Sequence, residues 1–229
     1  MFAPAVAIPS NAWAAEGVVK ITEDTTYWTS GLYIAEGAVT LKDRAYLNRH
    51  VSVTLRLMDN CELRVSNIYI PEGTTLRIET EPRSTSTGKL IVESNRDGDA
   101  AIGSPRTNGN NKGNLIIYGG DITATSIGGG AGIGSGYEAE FGNITIKGGI
   151  VKATGSSGGA GIGAGIGGSS TSTKSTCGNI TIYGGRVAAK GGNTGSGIGC
   201  GGAHSSVGAI DIFGGTVNAE GGSNGTDLN

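Results

Sequence analysis

Short runs of alternating apolar and polar residues, separated by glycine pairs, fill the C-terminal half of the chain. In residues 144–147 isoleucine alternates with threonine and lysine, which is the period-two pattern of a half-buried strand. The pair Gly148-Gly149 then predicts a turn, because glycine reaches positive φ without a Cβ clash. A second alternating run over 151–154 predicts a second strand, and the segment Ala-Gly-Ile-Gly-Ala over 160–164 predicts a third, very slim one.

This pattern occurs four times. The copies begin at Gly113, Gly142, Gly178 and Gly208, with the longest interval between the second and the third. Stacking the copies in register gives three inward apolar columns: Ile117, Ile146, Ile182 and Ile212; Ile122, Val151, Val187 and Val217; and Ile102, Ile133, Ile162 and Ile198. A repeat of this length, with two or three short strands per unit, is typical of a stacked solenoid.

The fold predicted from this repeat is all-β: a single-stranded, right-handed parallel β-helix with about three short strands per rung, a rung being one turn of the solenoid. The right hand is the default for parallel crossovers. The N-terminal half repeats less obviously, and residues 32–41 there resemble residues 68–77 at an offset of 36. We expect one continuous solenoid over 17–229, with broader rungs over 17–105 and Gly-rich repeats over 113–229.

Composition narrows the functional classes. The chain of 229 residues contains 44 glycines, but its periodic apolar columns are not a property of disordered chains. The net charge of −2 gives no basic surface for nucleic acid. No apolar run approaches the ~18–20 residues that a membrane span requires. We therefore expect neither a nucleic-acid partner nor a membrane span.

Residues 1–16 differ from the rest. An apolar stretch over 2–9 is followed by Ala12-Trp13-Ala14, which places small residues at the spacing of a signal-peptidase site. We expect a signal-peptide remnant, the alternative being an N-terminal cap of the solenoid. Export would place the protein outside a bacterial cell or on its surface. The fourth repeat stops at 221–223 without its Ile-Gly segment, so we expect the natural protein to continue beyond Asn229.

The repeat Gly-Asn-Ile-Thr-Ile-x-Gly-Gly-x-Val-x-Ala-x-Gly, followed by Ala-Gly-Ile-Gly, resembles the Gly-rich repeats of large surface or secreted proteins of Gram-positive bacteria. Residues 53–63 resemble the segment that precedes those repeats, and the resemblance covers roughly residues 31 to 222. It implies a carbohydrate-binding or adhesive role and carries no defined catalytic residues.

One outward column consists of larger side chains. Tyr118, Lys147, Tyr183 and Phe213 each precede the glycine pair of their repeat. Stacked aromatic side chains on a flat sheet are a platform for the apolar faces of sugar rings. The alternative is that these aromatic residues pair along the sheet or cover a docking surface. These four residues are the ligand-binding candidates.

Two further sets of residues favour structural roles. Asn114, Asn143 and Asn179 form a column that ends at Ala209, and stacked asparagines form hydrogen-bonded ladders along solenoids. Cys61 and Cys200 have inward parity, whereas Cys177 lies in the Ser/Thr-rich loop after 167. Sequence alone leaves open whether Cys177 and Cys200 pair. The three Cys and two His share no zinc-site spacing, so we expect no metal and no cofactor.

Acidic residues cluster at Asp97 and Asp99, with Glu93 nearby, and at Glu138 and Glu140. Paired carboxylates hydrolyse glycosides, and they also bind Ca²⁺. No Arg, Lys or His accompanies either cluster at a recognisable spacing, which favours solvated loop charges. A catalytic or calcium role for Asp97 and Asp99 stays open, and no catalytic residue is assigned.

These patterns favour a non-catalytic extracellular module of a bacterial surface protein that binds polysaccharide or other glycan, or adheres. One alternative is a polysaccharide-processing enzyme, a lyase or glycoside hydrolase, since β-helices also carry such enzymes; a fold alone does not establish this. The other alternative is a structural stalk that self-associates end to end through its terminal rung.

Overall fold

Short parallel strands make up the whole regular structure of this protein. The computed structural model describes residues 17–81, 87–106, 112–169 and 173–228, and every element named in these ranges is a strand. The strands are numbered along the chain and form four sheets, A to D.

Each sheet runs through several rungs, and its strands follow one another in space as well as in sequence. Sheet A contains β1 (Val18–Lys20), β3 (Gly31–Ala35), β6 (Ser52–Leu57), β9 (Thr75–Thr80), β12 (Asn114–Ile117), β16 (Ile144–Ile146), β20 (Ile180–Ile182) and β24 (Ile210–Ile212). Sheet B contains β2 (Tyr27–Trp28), β5 (Ala45–Leu47), β8 (Ile68–Tyr69), β11 (Ile102–Gly103), β14 (Ile133–Gly134), β18 (Ile162–Gly163) and β22 (Ile198–Gly199). Sheet C contains β4 (Ala38–Thr40), β7 (Glu62–Val65), β10 (Lys89–Asp97), β13 (Asp121–Ile127), β17 (Ile150–Thr154), β21 (Arg186–Lys190) and β25 (Thr216–Glu220). Sheet D contains β15 (Glu140–Phe141), β19 (Ser175–Cys177) and β23 (Ser205–Val207).

The chain visits sheets A, C and B in turn and then begins the next rung. Thus β6, β7 and β8 form one rung, and β9 pairs in parallel with β6 one rung later. Within each of the four sheets, every strand pairing is parallel, so the fold is a parallel β-helix. The predicted fold class, with about three strands per rung, is confirmed.

The core is built from the three predicted columns. Ile117, Ile146 and Ile182 are successive partners in sheet A, and all are fully buried. The corresponding columns in sheets C and B pair in the predicted register as well. Burial ends at the last rung, where Ile212 is 42% exposed although it continues the sheet A column. Each inner rung is therefore covered on both sides by its neighbours, and the last described rung on one side only.

The first rungs differ from our expectation of broader ones. Along sheet A, Tyr33 pairs with Leu55 and Leu55 with Ile78, so that each of these rungs takes up less chain than a Gly-rich repeat does. The later rungs follow the longer repeat spacing, from Ile146 to Ile182 for example. In sheet A, two strands of the N-terminal half are longer than the later ones, with six residues each in β6 and β9 against three in β16. The later rungs use their extra residues in the connections and in sheet D.

The expected equivalence of residues 32–41 and 68–77 is wrong. Leu32 lies in β3 of sheet A and pairs with Thr54, whereas Ile68 lies in β8 of sheet B and pairs with Ala45. Alternating strands of similar composition resemble each other whichever sheet they join, and register depends on the lengths of the turns between them. An offset of 36 therefore aligned two different faces of the solenoid.

Sheet D is a fourth face that the repeat pattern did not predict. Its inward column is Phe141, Cys177 and Val207, and the first two are buried. Cys177 is therefore part of a strand and not of a loop. All three cysteines are free thiols. Burial raises the pKa of the Cys177 thiol to about 12, so this thiol stays protonated at neutral pH and is not a nucleophile.

The asparagine column forms the expected ladder. The Oδ1 atom of Asn114 accepts a hydrogen bond from the backbone N–H of Asn143 (2.9 Å), and Asn143 accepts one in the same way from Asn179 (2.9 Å). The last bond runs from the N–H of Ala209 to Asn179 (3.0 Å), and Ala209 has no side-chain acceptor to continue it. The asparagines thus satisfy backbone donors at the entry to sheet A.

Residues 1–16, for which we expect a signal-peptide remnant or cap, lie outside the described residues. Among the described residues, no helix is long and apolar enough to cross a membrane.

Candidate functional site

The structure brings the four predicted ligand-binding residues together on sheet A. Each follows its strand directly, and its backbone N–H donates to a carbonyl of the previous rung: Lys147 to Ile117 (2.7 Å), Tyr183 to Ile146 (2.8 Å) and Phe213 to Ile182 (2.8 Å). Tyr118 is held in the same way by Ile78 (2.8 Å). The resulting aromatic column (Tyr118, Lys147, Tyr183 and Phe213) places one side chain on each of four successive rungs.

Within the aromatic column the side chains contact each other in pairs. The Lys147 ammonium nitrogen lies 4.8 Å from the centroid of the Tyr118 ring, in cation–π geometry. The rings of Tyr183 and Phe213 are stacked, with centroids 5.2 Å apart and planes 15° apart. Each ring is nevertheless well exposed: Tyr118 43%, Tyr183 54% and Phe213 69%. Stacking covers one face of each partner in the Tyr183–Phe213 pair, and these exposed fractions show that much of each ring remains accessible to solvent.

The column continues toward the N-terminus with charged residues. Arg56 in β6 and Glu79 in β9 are partners on adjacent rungs, with 2.7 Å between Arg56 Nη2 and Glu79 Oε1. Glu79 is followed in register by Tyr118, because the preceding residues Ile78 and Ile117 are partners. One outward line on sheet A thus changes from an ion pair to a cation–π pair to an aromatic pair.

A second aromatic set lies on sheet B and was missed from the sequence. Tyr27 pairs with Tyr46, and Tyr46 pairs with Tyr69, on three successive rungs. The Tyr27 and Tyr46 rings are stacked with centroids 5.3 Å apart, and Tyr46 meets Tyr69 edge to face at 6.4 Å. We call these three residues the tyrosine ladder. The three tyrosines recur in the sequence at the interval of the short N-terminal rungs, so they could have been found from it. They were missed because the first half was aligned at the incorrect offset of 36.

The tyrosine ladder ends where the sheet changes composition. Tyr69 pairs with Gly103, which is followed across sheet B by Gly134, Gly163 and Gly199. Tyr69 is half-buried, and this burial raises the pKa of its phenol, so the group is a neutral donor at physiological pH. Tyr27, at the other end, is 72% exposed.

Basic side chains lie near four of the five acidic residues named from the sequence, contrary to expectation. Asp97 Oδ2 lies 3.1 Å from Arg106 Nη1, and Asp99 Oδ2 lies 3.4 Å from Arg44 Nη1. Glu93 and Glu140 approach Arg64 (4.0 Å) and Lys112 (3.7 Å) respectively. Arg44 and Asp99 are 55 positions apart in sequence, so no local spacing could have shown the pairing.

The Asp97–Arg106 and Asp99–Arg44 pairs line a groove on the surface. The arginine groove has a volume of about 460 Å³ and is lined by Arg44, Arg96, Asp97, Asp99, Pro105 and Arg106. It adjoins the tyrosine ladder, because the Arg44 guanidinium carbon also lies 5.0 Å from the centroid of the Tyr46 ring. Among the described residues, no group of three or more His, Cys, Asp or Glu side chains is placed to hold a metal ion.

Comparison with known proteins agrees with this architecture over the second half of the chain. No curated protein and no solved structure gives a significant match. A family model described as "Beta helix repeat" matches residues 115–137, 144–170 and 180–202. Each match begins in a strand of sheet A and passes through sheets C and B, so that it covers most of one rung. Over these three rungs the chain is therefore similar to β-helix repeats, in agreement with its parallel β-helix fold.

Proposed function

We propose that this chain is a non-catalytic extracellular module of a bacterial surface protein, and that it binds carbohydrate through the aromatic column. The observation that carries the proposal is the exposure of three aromatic rings on successive or near-successive rungs of one flat face. An exposed Phe213 at 69% has no role in the core, and an extended glycan is a ligand whose repeat can follow a repeating surface.

The physical basis of binding is a combination of apolar and polar contacts. The exposed part of the Phe213 ring offers an apolar surface of the kind on which the C–H face of a sugar packs. Beside it, the phenol of Tyr183 and the ammonium of Lys147 donate hydrogen bonds to hydroxyl groups. The parallel β-helix holds these groups on backbone that is hydrogen-bonded from rung to rung, so little ordering is required on binding.

The surroundings of the acidic residues favour binding over hydrolysis. Asp99 is 6% exposed, and both of its carboxylate oxygens are engaged, one by the backbone N–H of Arg106 (2.7 Å) and one by Arg44. A glycosidase needs two carboxyl groups that reach opposite sides of a scissile bond. The Asp97–Arg106 and Asp99–Arg44 pairs instead direct these carboxylates at arginines.

The first prediction concerns the aromatic column. A Tyr183→Ala/Phe213→Ala double variant is expected to lose glycan affinity by at least about fivefold, since each lost stacking contact contributes about 0.5–1.5 kcal/mol. A broad glycan and polysaccharide array identifies the ligand with the wild-type chain, and calorimetry then measures both proteins.

The matched control is Thr181→Ala/Asp211→Ala, which changes the neighbouring outward column on the same two strands, β20 and β24. This control is expected to bind as the wild type does. If the array shows no ligand, or if both double variants lose affinity equally, the aromatic column is not a carbohydrate site and its role is to stabilise the sheet.

A second candidate function is end-to-end self-association into a stalk. For the 229-residue chain, this candidate is favoured by the last described rung, where Ile212 is 42% and Leu228 52% exposed and where β24 and β25 are edge strands. Unpaired strand edges beside apolar side chains are templates for pairing with another chain. We expect the mass measured by light scattering to rise with protein concentration and to fall back in an Ile212→Lys variant. A monomeric mass at all concentrations would contradict this candidate.

A further inference from the structure

We propose that the arginine groove and the tyrosine ladder together form a second binding site, specific for a carboxylate-bearing sugar such as a uronate. This site combines the tyrosine ladder of sheet B with the end of β10 in sheet C and the connections beside them, whereas the aromatic column is on sheet A. The inference does not depend on whether the aromatic column binds a ligand.

The strongest indication is the incomplete pairing of Arg44. This residue is only 7% exposed, yet its Nε atom is buried and has no hydrogen-bond partner in the described part of the chain. Its one carboxylate contact, from Nη1 to Asp99 Oδ2, is 3.4 Å long, compared with about 2.7–2.9 Å for a well-formed charge-assisted bond. A buried guanidinium normally satisfies its donors fully. Arg44 lines the groove and its Nη1 end is only weakly paired, so this end retains capacity for another acceptor.

The charges of the groove favour an anion as that acceptor. Three arginines (Arg44, Arg96 and Arg106) face two aspartates (Asp97 and Asp99), which leaves an excess of one positive charge. The Arg96 side chain forms no ion pair with any carboxylate among the described residues. Asp99 holds two of these arginines in place, because it accepts a hydrogen bond from the backbone N–H of Arg106 and contacts the side chain of Arg44. A planar guanidinium fork matches the two oxygens of a carboxylate.

The tyrosine ladder indicates which class of carboxylate ligand the groove binds. Arg44 connects the groove to the ladder, since its guanidinium carbon lies 5.0 Å from the Tyr46 ring centroid. Tyr27 stacks on Tyr46 and is 72% exposed, so much of its ring surface remains accessible to a ligand. A ligand with an acidic group for the arginines and a saturated ring with apolar C–H faces for Tyr27 is an acidic sugar.

The test compares acidic oligosaccharides with neutral ones of the same backbone: oligoglucuronate against oligoglucose, and oligogalacturonate against oligogalactose. We expect at least one acidic oligomer to bind at least about tenfold tighter than its neutral counterpart, and the difference to shrink with added salt. Calorimetry on the whole chain measures each affinity. Equal affinities within both pairs, or no binding of any of the four, would overturn the proposal.

Two variants of exposed residues locate the site without disturbing the core. Arg106→Gln removes a side chain that is 52% exposed but keeps the backbone N–H that holds Asp99. Tyr27→Ala removes the exposed ring at the end of the ladder. Each is expected to weaken acidic-oligomer binding about tenfold, whereas Arg186→Gln, a change of an exposed arginine on sheet C, is expected to leave it unchanged.

The aromatic column variant separates this inference from the proposed function. Tyr183→Ala/Phe213→Ala is expected to bind acidic oligomers as the wild type does, because those rings lie on sheet A. If that double variant abolishes acidic binding while Arg106→Gln and Tyr27→Ala do not, the acidic sugar binds at the aromatic column and the second site does not exist.

Discussion

Replacing Gly134 with alanine is expected to lower the free energy of unfolding by about 2–6 kcal/mol, or to prevent folding altogether. Gly134 has a φ of 136°, in the region that L side chains rarely adopt. A Cβ atom there would overlap the carbonyl oxygen of Gly163 on the next rung, closer than any non-bonded contact allows. The obstacle is backbone, so it cannot be relieved by a rotamer change.

Thermal and urea unfolding of the variant measure this effect, with Gly119→Ala as the control. Gly119 is not among the residues of positive φ, and its Cβ would approach only the flexible Thr80 side chain, at 3.2 Å from Oγ1. A change of less than about 1 kcal/mol is expected for the control. If the two variants unfold alike, the close approach of sheet B backbones does not limit which residues this sheet accepts.

The same crowding explains where the tyrosine ladder ends. Gly103, Gly134 and Gly163 have φ values of 136–145°, and a Cβ on each would overlap the next glycine's carbonyl. Tyr69 and Tyr46, at the corresponding positions of earlier rungs, carry side chains and have no left-handed φ. Sheet B thus presents side chains in its first rungs and bare backbone in its later ones, which confines any side-chain site on this sheet to the N-terminal half.

The fold could be predicted best from the sequence where the repeat is most regular. In the second half, near-identical copies set the register directly. The columns through Ile146 and Val151, and the alignment of the aromatic column's residues on successive rungs, were therefore predicted correctly. In the first half the rungs differ in length and composition, and an alternating strand such as β8 carries no mark of the sheet that it joins. Its misassignment concealed the tyrosine ladder.

The arginine groove was out of reach for a different reason. Its residues come from the connections before β5 and on either side of β11, and from the end of β10, and the pair Arg44–Asp99 is formed across 55 positions of the chain. Sheet D was hidden likewise, because Phe141 and Cys177 follow connections of unequal length and share no common motif. A repeat reveals its own contacts from the sequence alone. Contacts between distant loops can be predicted only when the register of every intervening rung is known.

Truncation of one core isoleucine tests how strongly the rungs depend on each other. Ile146→Ala is expected to lower the free energy of unfolding by about 2–5 kcal/mol, because the side chain is fully buried and the cavity cannot collapse between fixed neighbours. Ile117 lies directly before it in the column and Ile182 directly after it, and both are also fully buried. Urea unfolding of the purified variant measures the loss.

Ile212→Ala, in the same column, is the matched comparison and is expected to lose only about 1 kcal/mol. Ile212 is 42% exposed and has a column neighbour, Ile182, on one side only. In a solenoid the stability of each repeat depends on the interfaces with its neighbours, so an identical substitution should have a larger effect at a rung with two interfaces than at a rung with one. Equal losses at the two positions would mean that the last rung is covered in solution, and in that case the self-associated form, measured by light scattering, should weaken in Ile212→Ala and not in Ile146→Ala.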